Sequence, residues 1–294
     1  MSKAPASSPA AATAPVTDPA PSARSDAPFF TGMFILGGSY VLLIVSLLAA
    51  DVYFAFFSPT SKDPSEIVTL IVSEEIQYSI KLSLISCTVT TILSLWFAVP
   101  IGYLMSRHNF PGKSVLDAIL DIPIVLPPLV IGLSLFILFR QTPLKHLDNA
   151  FPIALHVPAV IIAQFSVACA FAVRTLRSTF DEIPPRRESV ALTLGCTRSQ
   201  AFWWVVLPEA KRGLLTAATL AWARSLGEFG PILMFAGTTQ GRTDVLPIAV
   251  HMEYAAGKLH AAVAVSLLMV VIALVVLILF RIFVGGELAP KLNR

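Results

Sequence analysis

Apolar residues fall in six long blocks along the chain, at about residues 33–57, 80–105, 115–139, 153–173, 214–236 and 261–284. Each reaches the roughly 20 residues that an α-helix needs to cross a hydrocarbon core. The pattern predicts an all-α, polytopic membrane protein with six transmembrane helices. The longest charged interruption, DEIPPRRESVALTLGCTRSQAFWWVVLP at residues 181–208, must then lie in water while its flanks lie in lipid.

That interruption carries its own punctuation. Pro184 and Pro185 suit the start of a helix, where a missing N–H costs nothing, and Gly195 suits its end, where a left-handed residue is often needed. Thr197, with Gln200 three residues on, reads as a capping box ahead of the apolar run 201–207, and Pro208 is expected to close that second helix. The prediction is a helix, a glycine elbow and a second helix, all held outside the membrane.

Composition agrees with the pattern. Of the 294 residues, 55% are hydrophobic and 13% charged, and mean hydropathy is +0.76, against roughly 25% charge in a soluble domain. Residues 1–28 are Ala, Pro and Ser with few bulky apolar side chains, so a disordered tail is expected there. A signal peptide fits poorly, because the apolar run that follows is much longer than a 7 to 15 residue signal core. The transmembrane body is placed at 29–284, with a core at about 78–284, and a short tail at 285–294.

Charge sets orientation rather than partners. A net charge of +3 is too small to argue for nucleic acid. Of the 21 Lys and Arg, fourteen fall on the side of the two termini and of the 181–208 loop, six on the other, and Arg224 within a block. The excess predicts that both termini and the loop are cytoplasmic and that lipid surrounds the rest. Cys87, Cys169 and Cys196 have neither disulfide pairing nor metal-ligand spacing and read as structural. Five scattered histidines offer no catalytic constellation, so neither a catalytic nor a metal site is expected. Pro111-Gly112-Lys113-Ser114 lacks the first glycine of a phosphate loop, whose position holds Arg107; ATP binding, if required, belongs to another chain.

Two blocks contain chemistry that lipid should not tolerate. In the third, Pro123, Pro127 and Pro128 remove backbone donors, so the helix should kink or break facing protein or water. Asp117 and Asp121 share a face near its cytoplasmic end; Asp121, the deeper, is a candidate lining or gate residue, the alternative being interfacial pairing with Arg107 or Lys113. In the fifth block, Arg224 and Glu228 are one turn apart and can pair, which a charge in hydrocarbon requires. Gly227 and Gly230 would let a helix or ligand approach the backbone. This pair reads either as a lock on helix packing or as part of an anion pathway with Ser225.

The spacing of Ala191, Gly195 and Val205-Val206-Leu207-Pro208 resembles the EAA signature of ABC importer permeases, EAA, three residues, G, nine residues, I-x-L-P. The match is partial, since Ser189 and Val190 stand where the motif has Glu and Ala and Glu188 sits one residue early. In that family the segment docks into a groove on a separate ATPase, so the resemblance implies coupling roles for Glu188, Ala191, Gly195, Leu207 and Pro208. Read without the resemblance, the loop is an amphipathic segment on the bilayer surface. Further on, ARSLGEFG at 223–230, LMFAG at 233–237, GRT at 241–243 and LPIA at 246–249 resemble the permease subunits of molybdate importers, with sulfate and tungstate permeases similar in the same places. This implies the type I ABC importer transmembrane fold, a homodimer, an external oxyanion-binding protein, and ATP and Mg bound by the partner ATPase with no cofactor in this chain. The substrate implied is a tetrahedral oxyanion, molybdate first, with sulfate or tungstate as alternatives. A secondary transporter or channel independent of ATP is the competing class, and the inverted repeats that would mark it are not visible in the sequence.

Overall fold

The structure is a computed structural model describing residues 27–57, 69–141 and 144–285; the expected N-terminal tail, apart from its last two residues, and the C-terminal tail beyond Gly285 lie outside the described residues. Among those described there are helices and no strands. In chain order they are α1 (Ala27–Phe57), α2 (Glu74–Arg107), α3 (Lys113–Val125), α4 (Pro128–Gln141), α5 (Lys145–Ala150), α6 (Val157–Glu182) and α7 (Pro185–Thr193). There follow α8 (Arg198–Ala201), a π-helical turn (Phe202–Val206), α9 (Leu207–Glu209), α10 (Lys211–Leu226), α11 (Gly230–Phe235), α12 (Leu246–Ala255) and α13 (Leu259–Gly285).

The chain divides into two compact units, Met1–Ala50 and Asp51–Arg294. The described part of the first is the beginning of α1, a continuous apolar helix whose side chains are exposed on every side. In water that would be untenable; in hydrocarbon it is the expected surface.

The second unit is a bundle built on α2, α6 and α10. Where lipid tails are as apolar as leucine, helices associate through small side chains, close backbones and hydrogen bonds. α2 accordingly buries Ser79, Ser83, Ser86, Thr90 and Ser94 on one stripe, and α6 buries Ala159, Ala163, Ala168 and Ala172. At Gly102 a Cβ would stand 3.1 Å from the amide nitrogen of Arg177, so the two helices nearly touch there. α13 is the opposite case, with 11% of its apolar window buried, as suits a helix facing lipid.

Four helices among the described residues are long and apolar enough to span: Phe29–Phe57, Glu74–Arg107, Val157–Glu182 and Leu259–Ile282. Counting the bent pair described next as one span gives five, against the six spans expected from the pattern. The third block is the pair α3 and α4, bent by 109° at the break before Pro128. The fifth is α10 and the six-residue α11, separated at Gly227–Phe229. Both interruptions lie where proline removes a donor, at Pro127-Pro128 and at Pro231, and the proline-rich third block breaks as expected.

Candidate functional site

The elbow forms as its punctuation predicts. Pro184 caps α7 and Pro185 is its first residue. Gly195 closes it at φ +92°, where the Cys196 amide donates to the Ala191 carbonyl and the Gly195 amide to Leu192, both at 3.1 Å. These are the paired bonds of a Schellman motif, which satisfies the last carbonyls of a helix. The Thr197–Gln200 capping box is complete. Nothing lies within 4 Å of a Cβ built at Gly195, so the position needs glycine for its left-handed backbone and not for room.

Pro208 departs from expectation: it does not end the second helix but lies in its last turn, α9. The turn before it widens to a π-helix in which the Leu207 amide reaches back five residues to the Phe202 carbonyl. Such a bulge accommodates a residue that cannot donate and would crowd the carbonyl behind it.

Side chains fasten the elbow to the bundle. The Tyr103 hydroxyl donates to Glu188 Oε1 at 2.6 Å, and Arg107 Nε lies 3.5 Å from Glu188 Oε2. Arg107 Nη2 donates to the Ile183 carbonyl at 2.8 Å. Arg187 pairs with Glu209, joining the elbow's two helices. Phe202 packs edge-on against Tyr103 with ring centroids 4.8 Å apart, and Val206 and Ala210 share a buried cluster with Leu176 and Phe180 of α6. Ala191 is buried beneath this arrangement, whereas Pro208 is exposed and Leu207 partly so. Val190, Leu194, Trp203 and Trp204 present apolar surface outward. The sequence reading missed Tyr103 and both tryptophans; the FWW run inside a water-exposed loop was the available signal.

The second group sits where α10 breaks. Arg224 Nη1 lies 2.6 Å from Glu228 Oε2, and the glutamate side chain is 1% exposed against 29% for the arginine. Oε2 receives no aligned hydrogen bond, so the contact is a close ion pair. The Arg224 guanidinium also lies 5.7 Å from the centre of the Phe171 ring on α6, a cation–π geometry. Ser225 does not present its hydroxyl to any opening: it is buried and donates to Ala221 at 2.8 Å. Its carbonyl accepts from the Glu228 amide at 3.2 Å and from Gln164 Nε2 at 3.2 Å, and Gln164 Oε1 accepts from Thr90 at 3.1 Å. A buried glutamine thus adds a side-chain hydrogen bond to a helix terminus inside the bundle, where lipid could offer none. Gln164, a lone amide in an apolar block, is a further residue the sequence reading passed over.

The two glycines of this region differ. A Cβ at Gly230 would stand 3.0 Å from the Leu129 amide nitrogen and from Pro128 Cβ, and one at Gly132 only 2.6 Å from Pro231 Cα. The two helix breaks therefore abut. Gly227 is exposed, with only the Ala223 carbonyl within 4 Å, and admits no neighbour of this chain. Asp121 lies 3.5 Å from Arg174 and Asp117 pairs with Arg177, so α3 is tied to α6 instead of to Arg107 or Lys113. At the far end, Asp244 is 2% exposed and accepts from Ser79 at 3.2 Å. Burial raises its carboxyl above the usual range, opposed by hydrogen bonds from the Gly241 and Arg242 backbone.

Among the described residues no group of His, Cys, Asp and Glu could hold a metal ion. Two abutting helix breaks, with a capped helix–glycine–helix elbow leading into one of them, belong to an all-α bundle of the type I ABC importer transmembrane class. Residues 98–288 match the family described as binding-protein-dependent transport system inner membrane component, and the chain belongs to that family of transport permeases. It is 33% identical over 242 residues to a probable molybdenum ABC transporter permease protein of Haloferax volcanii, covering 82% of this chain and 86% of that one. With the molybdate/tungstate transport system permease protein WtpB of Thermococcus kodakarensis it shares 29% identity over 255 residues, 87% and 96% of the two chains. With the sulfate transport system permease protein CysW of Synechocystis sp. it shares 29% over 248 residues, 83% and 88%. A bacterial alginate ABC transporter in complex with its periplasmic protein matches in fold with a TM-score of 0.72 at 17% identity, over 90% of this chain and 96% of that one. The MetNI methionine ABC transporter matches with a TM-score of 0.55 at 20% identity, over 73% and 99%.

Proposed function

We propose that this chain is the permease of an ATP-driven importer of a tetrahedral oxyanion, molybdate first, with sulfate and tungstate as the alternatives. The observation that carries the reading is the Arg224–Glu228 pair at the α10 break, its glutamate buried and its arginine partly exposed, on a chain whose relatives are named as oxyanion permeases. A dianion cannot be held by a densely charged pore, because tight binding would stop its release. An arginine half-neutralised by its own glutamate attracts the anion without trapping it.

In this reading two copies enclose the path, a binding protein delivers the anion from outside, and a separate ATPase seats on the exposed Val190, Leu194, Trp203 and Trp204 surface. The termini and the elbow then lie in the cytoplasm. Motion of the ATPase reaches the bundle through rigid parts: Glu188 pulls on Tyr103 and Arg107 at the end of α2, and the π turn leads through the short α9 into α10. The α10 break is where that motion can open or close a path, because the helix is interrupted there at Gly227–Phe229. A channel or secondary transporter needs no such anchored elbow. The test is reconstitution with the binding protein and ATPase and measurement of ATP-dependent uptake of labelled molybdate, tungstate and sulfate; uptake of none would end the oxyanion reading.

A further inference from the structure

A cleft of about 730 Å³ opens between α6 and α10 on the elbow side of the Arg224–Glu228 pair. Along α10, Arg212, Thr216, Leu220 and Arg224 recur every fourth residue, hence on one face, over roughly 18 Å of helix. Along α6, Phe171, Arg174, Ser178 and Glu182 recur at the same helical spacing, and the cleft is lined by these residues up to Phe171 and Leu220. Phe171 is the ring against which Arg224 lies. One side chain thus closes the top of the cleft and touches the ion pair above it.

The polar groups in the cleft are unequal. Arg212 is exposed, and its guanidinium makes no ion pair or hydrogen bond among the described residues; the same holds for the Ser178 hydroxyl. Among the described residues Arg174 is held only by Asp121, at 3.5 Å and with both side chains exposed, a contact of little strength. Glu209 is occupied by Arg187. Glu182, at the mouth, keeps the cleft from becoming a strong anion trap.

Resting on the oxyanion-permease reading, we infer that this cleft is the release vestibule, in which a tetrahedral oxyanion that has passed Arg224 and Phe171 is held by Arg174, Arg212 and Ser178 before leaving to the cytoplasm. Guanidinium groups and a free hydroxyl are the donors such an anion requires. An anionic lipid headgroup has the same chemistry, and the experiment separates the two.

The complete complex of permease and ATPase carrying Ser178→Cys is placed in nanodiscs of phosphatidylcholine, with and without phosphatidylglycerol, and its alkylation by a charged thiol reagent is timed with and without each oxyanion, the unsubstituted complex giving the background of the native cysteines. Uptake by the unsubstituted, Arg212→Gln and Arg212→Lys complexes is measured in parallel. Molybdate or sulfate should slow alkylation of Cys at this position, and Arg212→Gln should remove the protection. Arg212→Gln should also lower uptake about tenfold, as loss of one charge-assisted contact implies, with Arg212→Lys recovering much of it. Protection by phosphatidylglycerol but not by molybdate, tungstate or sulfate would overturn the vestibule, as would unprotected alkylation together with uptake by Arg212→Gln equal to the unsubstituted complex. Either result leaves the permease reading standing if the unsubstituted complex transports. If that complex takes up none of the three anions, both readings fall. Should Arg212→Gln not assemble, the protection of Ser178→Cys alone decides.

Discussion

Tyr103 and Glu188 are 85 residues apart in sequence, and the hydroxyl of one donates to the carboxylate of the other at 2.6 Å. This bond holds the first turn of the elbow to the last turns of α2 at a position where the EAA pattern is out of register by one residue. A glutamate one residue early still reaches the bundle, because Arg107 approaches it from the same helix end.

Tyr103→Phe removes that donor while leaving the ring edge-on against Phe202. Loss of a hydrogen bond to a charged group should lower stability by about 1.5 kcal/mol, and ATP hydrolysis should continue with less uptake per ATP. The check is thermal unfolding in detergent beside the transport-to-hydrolysis ratio. An unchanged ratio would remove Glu188 from the coupling route.

Gly195 should be sensitive to backbone conformation and indifferent to size, since its φ is +92° and the space around it is open. Gly195→Ala should cost about 1 kcal/mol and Gly195→Asn less, because asparagine tolerates the left-handed region. Gly195→Asp should in addition weaken co-purification of the ATPase by placing a carboxylate beside the exposed Leu194. Wild-type ratios of ATPase in that variant would take the glycine away from the docking surface.

The elbow was legible because its signals are local: Pro185, Gly195, Thr197 and Gln200 each fix a backbone conformation within four residues. The breaks were half legible. Three prolines announced the bend before Pro128, but nothing local says that Gly132 and Gly230 would bring two breaks into contact, since that depends on α4 and α11 meeting. The partners of Asp117 and Asp121 were misread for the same reason. Sequence proximity suggested Arg107 and Lys113, while packing of α3 on α6 supplied Arg177 and Arg174. Ser225 looked like a lining hydroxyl because its type is right; only the fold shows it turned back on Ala221.

Orientation follows from charge and is directly measurable. With Ser199→Cys and Thr239→Cys introduced separately, an impermeant reagent should label the first only from the cytoplasm and the second only from outside. The reverse pattern would place the elbow away from ATP and end the coupling reading.

Gln164 offers a test of the capped break. Gln164→Leu keeps the volume but removes one of the two hydrogen bonds on the Ser225 carbonyl, which keeps the bond from the Glu228 amide, at a cost of about 1 kcal/mol. Gln164→Glu should be worse than Gln164→Leu, because it adds a second buried carboxylate near Glu228. Equal stability of all three proteins by thermal unfolding would show that the α10 terminus is satisfied without Gln164.

Arg224 and Glu228 form the i, i+4 pair in the weaker order for an isolated helix, arginine first. Among the described residues, what supports the pair from a neighbouring helix is the Phe171 ring on α6, over whose face the Arg224 guanidinium lies. Removing Arg224 strands a carboxylate that is 1% exposed, and Arg224→Gln should therefore cost about 3 kcal/mol or more. Glu228→Gln should cost less, because the arginine it frees is partly exposed and keeps the aromatic face. The double variant should recover much of the loss in stability, since no charge remains to be buried. Transport separates the two roles: if Arg224 only locks the break, uptake recovers with stability, and if it also guides the anion, uptake stays low in a protein that unfolds at the normal temperature. The measurement is a double-mutant cycle read once as unfolding in detergent and once as oxyanion uptake with the binding protein and ATPase present. Because Arg224 is the more exposed partner and stands over the ring that closes the cleft, the expected outcome is recovered stability with uptake still impaired.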